Sequence, residues 1–188
     1  MGRVAERSQL SPEEYLAWER RQDCKHEYFE GEVYAMAGGS PRHNRLSIRI
    51  AAVLEAALGG RCHVFSSDQR VRSRERRYVY PDLSVVCGSP AIEHDDVLVN
   101  PMILVEVLSS TTEQYDRGLK WDGYQALPSL TDYVLVSQDR AHIEHFARSS
   151  DGRWVYTSAN VGERIQLTGG TVLDVDVIFA GVLELPSD

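Results

Sequence analysis

The stretch Met102-Ile103-Leu104-Val105-Glu106-Val107-Leu108-Ser109 decides the fold. A near-continuous apolar run of this kind marks a β-strand covered on both faces. Tyr133-Val134-Leu135-Val136 reads as a second buried strand, and Thr112 to Leu127 between them as a helix that ends before Pro128. Upstream, Cys62 to Cys87 follows a strand pattern through Val64-Phe65, Val71, Tyr78-Val79-Tyr80 and Leu83-Ser84-Val85-Val86. Pro41 to Leu58 has Leu46, Ile50, Val53, Leu54 and Leu58 at helical spacing, with Gly59-Gly60 as the stop. Ser11-Pro12-Glu13-Glu14 is a capping-box signature for a helix of about a dozen residues. Glu27 to Tyr34 reads as a hairpin around Glu30-Gly31. Past Val136, alternating segments at Ile143 to Phe146, Trp154 to Thr157 and Ile165-Gln166-Leu167 are separated by glycine turns. These elements predict one α/β domain over residues 1–188, with a mixed central sheet and additional antiparallel strands toward the C-terminus.

The composition narrows the function classes. With 188 residues, 43% hydrophobic and 26% charged, the chain has an ordinary globular balance. No apolar run reaches the roughly 18 residues of a membrane span, and Met1 to Gln9 lacks the apolar core of a secretory signal. The expectation is a cytoplasmic protein with no membrane partner and with residues 1–10 flexible. Cys24, Cys62 and Cys87 are widely spaced and odd in number, which argues against a disulfide framework and against a zinc site. The net charge of −8 is awkward for a nucleic-acid partner unless the acids surround a metal or a basic patch lies elsewhere.

Both features have candidates. Asp82 opens a strand after Pro81, and Glu106 lies between Val105 and Val107 near the close of another. A carboxylate in such a run is costly to bury without a partner, and a cation is a good one. If the strands are neighbours, the two oxygen donors suit magnesium. The structural alternative is a salt bridge for Glu106 and a simple strand start for Asp82. Asp116 and Lys120 stand four apart and share a helix face. Of the 20 basic residues only Lys25 and Lys120 are lysines. In phosphodiester cleavage Lys120 could orient water or stabilise the pentavalent phosphorane; as plain structure it is an i,i+4 partner of Asp116. Arg70, Arg72, Arg74 and Arg76 alternate, so an extended segment would project them from one face toward phosphates, or as a solvated hairpin tip. His142 and His145 are three apart on a strand, face opposite ways, and are rejected as a metal pair. Glu93-His94-Asp95-Asp96 reads as surface.

The chain resembles the Uma family of putative restriction endonucleases, of the PD-(D/E)XK nuclease superfamily. The resemblance rests on Pro81-Asp82, on Glu106-Val107-Leu108-Ser109-Ser110-Thr111-Thr112, and on Asp116-Arg117-Gly118-Leu119-Lys120 with Tyr124. It extends to Tyr28-Phe29-Glu30-Gly31-Glu32, to His43 at a helix start, and to Asp132-Tyr133-Val134-Leu135-Val136. It implies a restriction-endonuclease-like fold, a mixed sheet flanked by helices. It also implies metal ligation by Asp82, Glu106 and the Val107 carbonyl. Where the superfamily carries a lysine two residues after the second acid, this chain has Leu108; Lys120 matches the family's lysine on the following helix. Glu32 and His43 match second-tier site positions. Three functions compete: an endonuclease cutting DNA with Mg²⁺ (or Mn²⁺), a non-catalytic nuclease-like binding domain, and a hydrolase of small phosphate esters, which would need a deep pocket. A homodimer would suit the two strands of a duplex.

Overall fold

The computed structural model describes residues 9–187. Most of the N-terminal stretch expected to be flexible lies outside the described residues. Leu10 lies inside and is tied down: its N–H donates to the Gly31 carbonyl (3.2 Å), and its own carbonyl accepts from the Tyr28 hydroxyl (2.7 Å).

Helix α1 (Pro12–Glu19) starts where the sequence signals it, with both halves of the Ser11–Glu14 capping box formed. It is shorter than the expected dozen residues. The hairpin β1 (His26–Phe29) and β2 (Glu32–Ala35) turns on Glu30 and Gly31, both at positive φ (51° and 103°), the backbone of a two-residue hairpin loop. Helix α2 (Pro41–Leu58) is capped by Ser40, begins on a proline and stops at Gly59 in the left-handed conformation. Seven strands follow: β3 (Cys62–Ser66), β4 (Arg70–Arg74), β5 (Arg77–Val79), β6 (Leu83–Cys87), β7 (Ile92–Glu93), β8 (Val97–Leu98) and β9 (Ile103–Leu108). A helical segment comes next, made of α3 (Glu113–Tyr115), a π-helical turn at Asp116–Lys120, and α4 (Trp121–Gln125). The chain closes with β10 (Asp132–Ser137), β11 (His142–Arg148), β12 (Trp154–Asn160), β13 (Arg164–Gln166), β14 (Val172–Asp174) and α5 (Val175–Phe179).

The strands form two mixed six-stranded sheets, ordered β2-β1-β5-β4-β8-β7 and β12-β11-β10-β9-β6-β3, and a small β13-β14 pair. In the second sheet β9 runs parallel to β10 and antiparallel to β6. Strand β9 is buried throughout, as its apolar run predicts. Ile103, Val105 and Val107 pack with Leu46, Ile50 and Leu54 of α2 on one face. Leu104 and Leu108 pack with Tyr124, Leu127 and Tyr133 on the other. By alternation, Glu106 belongs to the second face, under the α3–α4 segment. No helix among the described residues is long and apolar enough to cross a membrane.

The cysteine expectation is overturned. Cys62 and Cys87 stand directly opposite each other where β3 pairs with β6, and they form a disulfide; Cys24 is free and exposed. An odd count and a separation of 25 residues carry no information about cross-strand register, which is what brings the two sulfurs together.

Candidate active site

Register assembles the acids. Leu83 pairs with Val105, so Asp82 and Glu106, one step further along each strand, reach the same level at the open end of the β6–β9 pairing. The Val107 N–H donates to Asp82 Oδ2 at 2.7 Å. In a strand the N–H and C=O of one residue leave on the same edge, so the Val107 carbonyl also looks toward Asp82. His43, in the first turn of α2, holds Nε2 at 3.2 Å from Asp82 Oδ2. Glu106 is only 3% exposed.

Lys120 reaches this point from the far side of the π turn. Its buried ammonium lies 3.0 Å from Glu106 Oε1, 3.2 Å from Glu27 Oε1 and 3.2 Å from Asp116 Oδ1. The Tyr124 hydroxyl, one helical turn further on, donates to the same Glu106 oxygen at 2.7 Å. Tyr133 fixes the segment from below by donating to the Asp116 carbonyl at 3.0 Å. Leu127 turns into the core while Leu119 stays 42% exposed, so the lysine-bearing face is the inward one.

Charge is crowded here: Glu27, Asp82, Glu106 and Asp116 gather around one ammonium and one imidazole. Burial pushes the Glu106 carboxyl well above the usual carboxylate range. Lys120 works against that shift, and Asp116, Asp82 and Glu27 add to it. Burial works against the Lys120 charge as well, but Glu106, Glu27 and Asp116 outweigh it and hold the ammonium well above its ordinary range. Tyr124 and Tyr115 are raised by burial and then by Glu106 and Glu27 respectively, and Tyr124 stays the protonated donor to Glu106.

The donor chemistry fits a small hard cation. Asp82, Glu106 and the Val107 carbonyl edge offer oxygens only, and magnesium is held by one or two carboxylates while it keeps waters. Among the described residues no three His, Cys, Asp or Glu side chains form a metal cage.

The structure thus brings together Asp82, Glu106, Lys120, Asp116 and His43. It leaves Glu32 apart: Glu32 is exposed at the hairpin tip and accepts from Tyr34. The residue that reaches the cluster from that hairpin is Glu27, which sequence reasoning passed over. Its signal was the face it shares with Phe29 and, across the pairing, Tyr34, an acid among aromatics. The arginine row does not project as a comb. Arg70 is 5% exposed and donates to the Tyr80 hydroxyl. Arg72 pairs with Glu93, Arg74 with Asp122 and Arg76 with Glu30, across a bulge between Arg72 and Arg74. His145 binds Asp132 and His142 binds Asn160, each with its own partner. Two surface depressions of about 340 and 450 Å³ lie beside the β4–β5 turn, and neither is lined by Asp82, Glu106 or Lys120.

Residues 12–182 match the family model Uma2, described as "Putative restriction endonuclease". Two uncharacterized proteins of Synechocystis sp. (strain ATCC 27184 / PCC 6803 / Kazusa) are similar over nearly their whole length. Protein slr1290 is 40% identical over 176 residues, covering 92% of this chain and 93% of its own. Protein sll1609 is 32% identical over 168 residues, covering 87% and 94%. A crystal structure of "a putative nuclease belonging to DUF820" from Anabaena variabilis ATCC 29413 superposes with a TM-score of 0.76 at 14% identity, covering 93% of this chain and 99% of that one. At that identity the likeness speaks for the fold.

Proposed function

The chain belongs to the Uma2 family of putative restriction endonucleases, and on that premise we propose that it is a magnesium-dependent endonuclease that hydrolyses phosphodiester bonds of DNA, manganese serving as a substitute. The observation that carries the reading is the meeting of Asp82, Glu106 and Lys120 at one strand end, from three separate elements.

Asp82 and Glu106, with the Val107 carbonyl, are the groups that hold the cation. When bound, a divalent cation supplies positive charge at the scissile phosphate and activates water. Lys120 adds a fixed ammonium where negative charge develops on the phosphorane, and fixed charge costs no reorganisation during the reaction. Glu27 and Asp116 keep that ammonium charged and aimed, and Tyr124 holds the Glu106 oxygen that Lys120 shares. His43 is placed to orient a water or meet a phosphate beside Asp82. Arg72, Arg74 and Arg76 contact the phosphate backbone by exchanging their exposed carboxylate partners for phosphates. Arg70 is too buried for that role and anchors Tyr80 instead. Residues 9–187 act as one domain, located in the cytoplasm and paired as a homodimer so that two sites address two strands.

The test is cleavage of supercoiled plasmid in Mg²⁺ or Mn²⁺, with Asp82→Ala as control. Nicked and linear products from the parent protein alone support the reading. Plasmid binding with no cleavage in either metal would favour a non-catalytic binding domain.

A further inference from the structure

We propose that Cys24, His26 and Glu19 form a thiol–imidazole–carboxylate relay, separate from the acidic site, that makes Cys24 a nucleophile toward small-molecule disulfides and thus a site of S-thiolation.

Cys24 sits in the link between α1 and β1 and is exposed. Its Sγ is 3.7 Å from Nε2 of His26, the first residue of β1. The other ring nitrogen, Nδ1, is 3.0 Å from Oε2 of Glu19, the last residue of α1. The Glu19 side chain is 3% exposed and that of His26 8%, so this carboxylate–imidazole contact sits away from solvent. Glu19 is also prevented from turning away. Its Oε1 accepts from the His26 N–H at 2.8 Å and from the Tyr80 hydroxyl at 3.1 Å, and Arg70 donates to that hydroxyl in turn. In the neutral tautomer that donates Nδ1–H to this carboxylate, the lone pair of the ring is on Nε2, facing sulfur. The Trp18 ring stands 4.7 Å from the imidazole and tilted at 60° to it, which limits its rotation. Of the flanking charges, Arg20 is paired with Asp96 and Lys25 with Asp68, while Arg21 and Asp23 are exposed.

Nucleophile, base and orienting group in this order are what activates a weak nucleophile, whatever fold carries them. The Sγ proton passes to Nε2, and the thiolate so formed attacks one sulfur of the disulfide. The Sγ–S bond forms, the reagent's S–S bond breaks, and the other half leaves as a thiolate. The imidazolium charge rests against Glu19 until its proton goes to water. The disulfide is itself the oxidant, so no further co-reactant enters.

The measurement uses an aromatic disulfide whose released thiolate absorbs light, applied to the full chain without reductant near neutral pH. Cys62 and Cys87 are paired, so the release reports Cys24 and should vanish in Cys24→Ser. The intact protein should react about tenfold or more faster than a synthetic peptide of residues 20–28, which lacks Glu19 and the fixed geometry. His26→Gln should bring the rate down to that of the peptide and be partly rescued by added imidazole, which a loss of structure alone would not allow; Glu19→Gln should fall between. A wild-type rate equal to the peptide's overturns the proposal without need of any variant. So does a folded His26→Gln protein that reacts at the wild-type rate.

Discussion

Lys120 keeps a positive charge in a place where burial alone would strip it, and two consequences can be measured. Removing the ammonium leaves Glu27, Glu106 and Asp116 facing one another. Lys120→Ala should therefore destabilise the metal-free protein by about 3–5 kcal/mol, the usual result of deleting one partner of a buried pair. It should abolish cleavage yet leave metal binding nearly intact, whereas Asp82→Ala should remove both; calorimetric metal titration beside plasmid cleavage separates the two. Lys120→Arg keeps the charge and changes its geometry, so cleavage at the parent rate in that variant would reduce the lysine to a charge without a position. The second consequence concerns pH. Because the folded Lys120 is raised above its unfolded range, its stabilising contribution is complete below the ordinary lysine value of about 10.4 and is lost as pH climbs through the raised one. Glu106 is raised too, and on the proposed function it would hold a cation only when ionised. Cleavage should rise with pH through a limb lying above the ordinary carboxylate range. More Mg²⁺ should move that limb to lower pH, since cation and proton compete for the same group. A limb that ignores Mg²⁺ concentration would remove Glu106 from the metal set.

The α3–α4 segment shows how an element serves one side chain. The sequence pattern predicts an uninterrupted helix from Thr112 to Leu127; the structure puts a π turn at Asp116–Lys120, and both ends of that turn are buried. π turns are uncommon and gather at functional sites, because the extra residue re-aims the side chains that follow. Periodicity could not reveal it, since the apolar positions of a single bulge barely depart from the α-helical pattern. Beyond the turn, Gly123 lets α4 lie against β4: a Cβ there would stand 2.9 Å from Ser73 Oγ and 3.2 Å from its Cβ. Gly123→Ala gains up to about 1 kcal/mol of helix preference. It loses about 1–3 kcal/mol to overpacking, because the Ser73 Cβ belongs to a strand and cannot step aside. The loss wins. Tm should fall by about 2–4 °C for each net kcal/mol, and cleavage should drop with it as Lys120 shifts. A Tm at or above the parent's would show that the packing there has room to give.

For the whole molecule the question is how a chain of net charge −8 approaches DNA. The structure internalises part of that acidity around Lys120 and spends the remaining arginines of the β4–β5 hairpin on surface ion pairs. Exposed pairs are worth little, about 0–1 kcal/mol each, so a phosphate can displace the carboxylates of Glu93, Asp122 and Glu30 at small cost. Replacing Arg72, Arg74 and Arg76 by glutamine should weaken DNA binding at low salt. It should also flatten the salt dependence, by up to about 0.9 in log–log slope for each phosphate no longer neutralised. An unchanged slope, measured by fluorescence anisotropy from low to moderate salt, would return the hairpin to plain surface.

The sequence by itself determined the buried strands, the caps of α1 and α2, the stop of α2 and the hairpin turn, and it singled out the acids and the lysine proposed for the site. Each of these is written in local signals: apolar runs, a capping box, a glycine where φ must be positive, a carboxylate where a carboxylate is costly. Only the tertiary structure decided what depends on register and on the approach of distant segments. Cross-strand pairing joined Cys62 to Cys87 against the expectation from their number. It replaced Glu32 with Glu27 at the cluster, and it turned a row of arginines read as a comb into ion pairs, those of Arg74 and Arg76 linked through Arg77, which shares Asp122 and Glu30 with them. Strand alternation tells which face a residue takes, but not which neighbour it will meet there. That choice is made by hydrophobic packing over the whole core, and no window of sequence contains it.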